Sequence, residues 1–529
     1  MALELIISGL LVPVEIDGPE EYLKAAARKL QLPVTAVKAV RILSKSLAAG
    51  DKRQFYYEIS LVVSVPSDYG NKDKFPLHAA KPAVLRKPAP AGRRPVIIGF
   101  GPAGMFAALE LIGYGLKPLI FERGKKLEER RLDVQKFIGE RTLTPGSNIQ
   151  FGEGGAGAYS DGKLFSRPNN SVYASKVLDT FIEFGAPEET GYVSKPHLGT
   201  DVLHKITANI RNYILQAGGE INYGSKMTDI IISGGKASAV VINGSAQYLC
   251  SDIYLAIGNS ARDTFELLHK KGVSLEPKPI SVGVRVEHPA KTINLIRYGD
   301  KYSDFPGIGA ATYSFNCTNR ETGRGAYTFC MCPGGEVINA SSEEGLLALN
   351  GMSYSARDSA FSNSAIAVTC GTADYSSTHP LAGIEFQRDI ERKAFRAGGG
   401  NWKTPAQNLR DFLSGTLSTA LNRNSCKMGT QSADMNLIFP AFISEMLRSA
   451  FSQWEKECPL FVADDAILMG PETRTSSPVR ITRGKNFESV NIRNLYPIGE
   501  GSGYSGGITS SAADAIKAVE AALKEPPAA

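Results

Sequence analysis

The sequence has no run approaching the roughly 18 uninterrupted apolar residues of a membrane-spanning helix, so an integral membrane protein is not expected. Its opening, Met1-Ala2-Leu3-Glu4-Leu5-Ile6-Ile7, has no basic residues ahead of the apolar ones, and it reads as a strand and not as a secretory leader. Histidine is scarce: six are scattered with no H-E-x-x-H, and no metal site is expected. The seven cysteines (Cys250, Cys317, Cys330, Cys332, Cys370, Cys426, Cys458) are odd in number, irregularly spaced and without C-x-x-C. That pattern argues against a disulfide framework or a structural zinc and for a reducing, cytoplasmic setting. Excess charge is also missing. The surplus of +6 lies wholly in Met1–Arg94, with 15 Lys and Arg against 9 Asp and Glu, and the rest is even at 44 of each. A nucleic-acid partner is therefore not expected.

What is present falls into three regimes. The first 80 residues alternate strand and helix signals: Leu3 to Val14, a helix from Pro19 to Leu30, then strands Val37 to Leu43 and Phe55 to Val65. This predicts a small β-α-β-β domain over residues 1–80, followed by a Pro, Ala, Lys and Arg linker over 81–94. From Pro95 the pattern is β-α-β: strand Val96 to Phe100, helix Met105 to Tyr114, strand Pro118 to Glu122. Helix Asp201 to Gln216, strand Gly219 to Tyr223, a hairpin across Ser233-Gly234-Gly235-Lys236 and strand Asp252 to Ile257 follow. Residues 280–462 mix strands, helices and Gly/Ser loops, and Leu495 to Ala522 returns to strand, glycine loop and helix.

The sharpest motif is Gly99-Phe100-Gly101-Pro102-Ala103-Gly104, between an apolar strand and an apolar helix. In this pattern the first glycine makes the turn, the second lets a pyrophosphate approach the backbone, and the third lets helix and strand pack. The helix N-terminus draws the phosphate charge. Glu122 ends the next strand 18 residues on, where a carboxylate accepts ribose hydroxyls and repels a 2′-phosphate, which disfavours NADP there. Arg123 beside it joins the candidate nucleotide contacts. The C-terminal segment separates FAD from NAD. Gly499-Glu500 offers an acceptor for ribityl hydroxyls, and Gly506-Gly507-Ile508 opens a helix whose N-terminus suits negative charge on a reduced flavin.

These pieces resemble the flavoproteins with two dinucleotide-binding domains: Gly99-x-Gly101-x-x-Gly104 with Glu122, Leu255-Ala256-Ile257-Gly258 in place of the usual A-T-G, and Gly499-Glu500 in place of Gly-Asp. Glu153 to Leu164, Cys330-Met331-Cys332-Pro333-Gly334-Gly335, Glu472 to Pro478 and the N-terminal unit resemble, more narrowly, the NAD(FAD)-utilising dehydrogenase-like FAD-dependent dehydrogenases. The resemblance implies an α/β fold with a Rossmann-like, discontinuous FAD-binding domain (95–279 and 463–529) and an inserted mixed α+β substrate domain (280–462). It also implies that Gly155, Ala156, Gly157, Ser160, Asp161, Gly162 and Lys163 lie near the flavin.

Gly157 to Lys163 also satisfies G-x-x-x-x-G-K, but Leu164 stands where a P-loop needs Ser or Thr, and no strand precedes it, which excludes ATP. Asp161-Gly162 with Arg167 resembles the D-G motif of flavin hydroxylases, although Phe165 replaces its serine. The catalytic candidates are Cys330 and Cys332, placed by strand alternation on one face, then Arg285 and His288 on one strand, and Arg474 as an anion contact. The expected function is an FAD-dependent oxidoreductase moving hydride between flavin and a small molecule. NAD(P)H would be a transient donor, since a second fingerprint is missing. A flavin-binding interaction protein and a flavin monooxygenase are the alternatives.

Overall fold

The computed structural model describes residues 3–78, 89, 92–164 and 172–524, so most of the expected linker, together with Phe165 and Arg167, lies outside the described residues. The N-terminal unit is the expected β-α-β-β. Strands Leu3–Pro13, Tyr56–Val65 and Lys38–Ala48 pair antiparallel in that order, and helix Pro19–Leu30 covers one face. Leu5, Ile7, Leu10 and Val12 point inward. The step of three between Ile7 and Leu10 marks a bulge with Gly9 at φ +67°, which restores the apolar alternation to the core side.

This unit does not hang on a linker. Phe55 stacks on Tyr302 with ring centroids 4.2 Å apart and meets Tyr298 edge-on, so that it joins the core of the large central sheet. The Tyr302 hydroxyl donates to Glu15 at 2.6 Å. A second seam runs through Lys45, whose amide donates to the Tyr192 carbonyl at 2.8 Å and whose carbonyl accepts from Ser194. Emptying the aromatic seam with Phe55→Ala should cost about 3–5 kcal/mol. Chemical denaturation and proteolysis of the N-terminal unit would report the loss, and unchanged values would show that the seam carries no stability.

The nucleotide-type domain is a parallel sheet of five strands in the order Leu495–Pro497, Asp252–Leu255, Pro95–Ile98, Leu119–Phe121, Glu220–Asn222. Pro95–Ile98 and Asp252–Leu255 are buried throughout, as a sheet covered on both faces requires. Helices Pro102–Gly113, Val172–Glu183, Gly199–Gln216 and Ile508–Lys524 build the core on one face. The antiparallel Met227–Ser233, Lys236–Ile242 and Ala246–Leu249 cover the other. The strand order reverses between Pro95–Ile98 and Asp252–Leu255, which is where ligands sit in open α/β sheets.

The inserted domain is a sheet of seven strands: Asn316–Thr318, Gly325–Cys332, Phe361–Cys370, Ile280–Pro289, Ile467–Glu472, Thr404–Asn408 and Thr430–Ser432. The expected end of the insertion at 462 is therefore too early. Ile467–Glu472 pairs with Ile280–Pro289 on one side and Thr404–Asn408 on the other, inside this sheet. The chain leaves and returns through a two-stranded ribbon, Leu275–Pro277 against Val479–Ile481. Among the described residues no helix is long and apolar enough to cross a membrane.

Candidate functional site

A cavity of about 1220 Å³ runs from the carboxyl ends of the parallel strands to the face of the seven-stranded sheet. It exceeds the roughly 300–1,000 Å³ of ordinary small-molecule pockets. At one end, helix Pro102–Gly113 opens with Gly101 at its N-cap and Pro102 in its first turn, so that its free amides face the cavity. Gly101 lies against Gly155 of the glycine loop: a Cβ on Gly155 would stand 3.0 Å from the Gly101 Cα. Gly99, Gly101, Pro102 and Ala103 line the cavity; Gly104 does not. A Cβ on Gly104 would stand 2.0 Å from the Gly99 carbonyl oxygen, so its smallness serves the strand–helix contact.

Glu122 also lines the cavity, but its carboxylate organises backbone first. Phe100 N donates to Oε2 at 2.8 Å, and Gly124 N and Gly152 N donate to Oε1, both at 2.9 Å. Oε2, with one partner, retains capacity for a hydroxyl. The Arg123 guanidinium forks onto Asp263 at 3.0 and 3.2 Å and lies over the Phe151 ring, so it forms a wall.

The glycine loop is held from behind by a residue that no motif or spacing marks. Arg130, fully buried, donates to the carbonyls of Asn148, Glu153 and Ile149 at 2.7–2.9 Å. Gly155, Ala156, Gly157, Ser160, Asp161, Gly162 and Lys163 all reach the cavity. Buried Asp161 accepts from Ser353 and Arg357 and pairs with Lys163 at 2.8 Å, tying the loop to the inserted domain.

At the other end, Ile257, Gly258, Glu500, Gly506, Gly507 and Ile508 line the wall, the last three at the start of helix Ile508–Lys524. Desolvation pushes the Glu500 carboxyl up to about 7, although Asn259 donates to it at 3.1 Å. Gly499 does not line the cavity. Its Cβ would fall 2.5 Å from the Ala103 Cβ, so it lets the last strand pack on the first helix.

Two catalytic candidates move. His288 is fully buried away from the cavity, with Nε2 2.8 Å from the Phe461 carbonyl and its ring on Phe461. It stands three positions after Arg285, an odd step that strand alternation sends to the opposite face. Arg285 lies behind the wall, paired with Glu472 at 2.8 Å and donating to Asn363 and Asn350; Glu472 and Asn350 reach the cavity.

Arg474 does line the cavity, but its guanidinium holds Glu391 at 3.1 Å and Ser342 at 2.6 Å, so it is not a free anion contact. Cys330 faces the cavity while Cys332 is buried behind it. They do not share a regular strand face, because a bulge between Phe329 and Cys332 breaks the alternation. Asn259, Tyr327, Phe329 and Lys278 also line the cavity and carry no sequence signal. Among the described residues, the Lys278 ammonium donates to Ser476 Oγ and the Pro279 carbonyl, both at 3.5 Å.

Several known proteins are similar to this chain. A mutant of the halogenase PltM in complex with FAD has 11% identity over 80% of this chain and 67% of that one, with a TM-score of 0.37. CtdE in complex with FAD has 10% identity over 81% and 84%, with a TM-score of 0.31. Neither likeness is strong enough to bear on this chain. A family described as FAD-dependent protein, C-terminal domain-like, matches residues 279–475, the inserted domain between the two strands of the ribbon. An uncharacterized protein of Clostridium beijerinckii (strain ATCC 51743 / NCIMB 8052) is 46% identical over 429 residues, 81% of this chain and 80% of that one. By the second match the chain belongs to one family with the Clostridium beijerinckii protein, and its residues 279–475 are similar to the FAD-dependent protein, C-terminal domain-like, family.

Proposed function

We propose that the cavity holds one non-covalent FAD, stretched from the first helix N-terminus to the last, and that the protein is an oxidoreductase. The observation that carries this is the pair of helix N-termini, at Pro102 and Ile508, opening on one continuous cavity. The amides behind Gly101 hold the pyrophosphate, and Glu122 Oε2 takes a ribose hydroxyl. Glu500 accepts from the ribityl chain, and the second helix N-terminus favours negative charge on the isoalloxazine. When bound, flavin supplies hydride acceptance and donation at N5. Tyr327 and Phe329 wall the end facing the inserted domain, and Lys278 gives a substrate there a positive contact.

A nicotinamide donor would enter from that end transiently. Anaerobic mixing of the holoprotein with NADH or NADPH should then bleach the flavin within turnover times. A flavin that stays oxidised with both would remove the nicotinamide step and leave the small-molecule substrate as the sole hydride source.

A further inference from the structure

The sheet face that closes the cavity carries two sulfurs that flavin binding alone does not require. Cys330 takes φ +45° at the bulge, a left-handed conformation uncommon for a residue with a side chain. Non-glycine residues held there cluster at functional sites, where the surrounding structure fixes them. Here Cys330 O lies 3.4 Å from Arg285 Nη1, and the Met331 carbonyl accepts from the Lys163 ammonium. Cys332 Sγ lies 4.0 Å from Arg285 Nη1, and its thiol donates to the Cys330 carbonyl at 3.4 Å. The neighbouring Cys332, with Lys163 and Arg285 behind it, holds the Cys330 thiol well below the ordinary thiol range against its burial. The neighbouring Cys330 and burial hold Cys332 well above the ordinary thiol range. Inert structural cysteines lack such an electropositive setting and an opening to a cavity.

We infer that Cys330 and Cys332 are a redox-active dithiol that exchanges two electrons with flavin bound in the cavity. This rests on the reading that the cavity holds FAD. The Cys330 thiolate and the Cys332 thiol form one S–S bond. The electron pair and the Cys332 proton pass to oxidised flavin, giving disulfide and the singly protonated reduced flavin anion. Charge and protons balance without another reactant, and the step runs in either direction. Cys330 is the sulfur of the pair that meets the cavity, and Cys332 is the resolving partner behind it.

The test is an anaerobic reductive titration of the ferricyanide-oxidised holoprotein, with FAD content and free thiols counted on the same sample. The wild type should take up about four electrons per chain, two into flavin and two into the disulfide. Five of its seven cysteines should react with a thiol reagent after denaturation in the oxidised form, and all seven in the reduced form. Cys332→Ser and, separately, Cys330→Ser should keep FAD and take up about two electrons. Two electrons in the wild type, with seven free thiols after oxidation, would overturn the dithiol. Protein that is folded, free of FAD and short of two thiols would overturn the FAD reading and leave the dithiol standing.

Discussion

Gly104→Ala is expected to abolish soluble, folded protein, while Gly101→Val three positions earlier leaves the fold intact and removes FAD. The added methyl at Gly104 would lie 2.0 Å from the Gly99 carbonyl oxygen and 3.0 Å from its carbon, backbone atoms of the strand-to-helix turn that have no side-chain freedom to yield. Separating strand Pro95–Ile98 from helix Pro102–Gly113 opens the centre of the parallel sheet, at a cost above the roughly 1–3 kcal/mol of ordinary overpacking. Gly101 differs. Its φ of −83° and ψ of −169° suit any residue, and a Cβ there would lie 3.5 Å from the Gly155 Cα, an ordinary contact. The valine methyls would instead occupy the space in front of the helix amides. Loss of two charge-assisted bonds to the pyrophosphate weakens FAD by about a hundredfold or more. Circular dichroism and flavin content on the two variants separate the effects. A Gly101→Val protein that keeps full flavin would move the pyrophosphate elsewhere.

Glu500→Ala should weaken FAD about tenfold or more, since a charged hydrogen bond is worth about 1.5–3 kcal/mol. The pH dependence has a definite sign. Desolvation holds the carboxyl up to about 7, so in the empty protein it carries a proton through most of the range between its ordinary 4.5 and 7. A ribityl hydroxyl donates best to the ionised form, so FAD binding releases that proton, and affinity should rise on the order of tenfold from pH 6 to 8. The same raised value makes Glu500 favour the empty fold below 4.5, an advantage lost as pH rises through 7. Glu500→Gln should flatten the binding profile. A wild-type affinity independent of pH would place the carboxylate outside the flavin's reach.

Much of this architecture was legible because local pattern and tertiary demand coincide. Gly99-x-Gly101-x-x-Gly104 sits between an all-buried strand and an apolar helix, and alternation in Leu3–Pro13 places its core residues even across a bulge. The end of the insertion was not legible, because Ile467–Glu472 is an apolar strand with nothing local to say which sheet it joins. The same limit applies to His288 and Arg474. Nearness in sequence to Arg285 or to a Ser/Thr-rich loop says nothing of Phe461 and Glu391, which occupy them. Cys330 shows the limit most sharply: two cysteines one residue apart imply a shared face, and only the bulge with a left-handed Cys330 separates cavity from core. Arg130 and Asn259 act through carbonyls and a carboxylate brought near by the fold, so no spacing announces them.

The central claim, that one FAD spans the cavity between the two helix N-termini, is tested most directly by the flavin stoichiometry of the purified full chain. The spectrum should show oxidised flavin, and denaturation should release about one FAD per chain as a free molecule. A folded, colourless protein that takes up no FAD in a binding titration would contradict it.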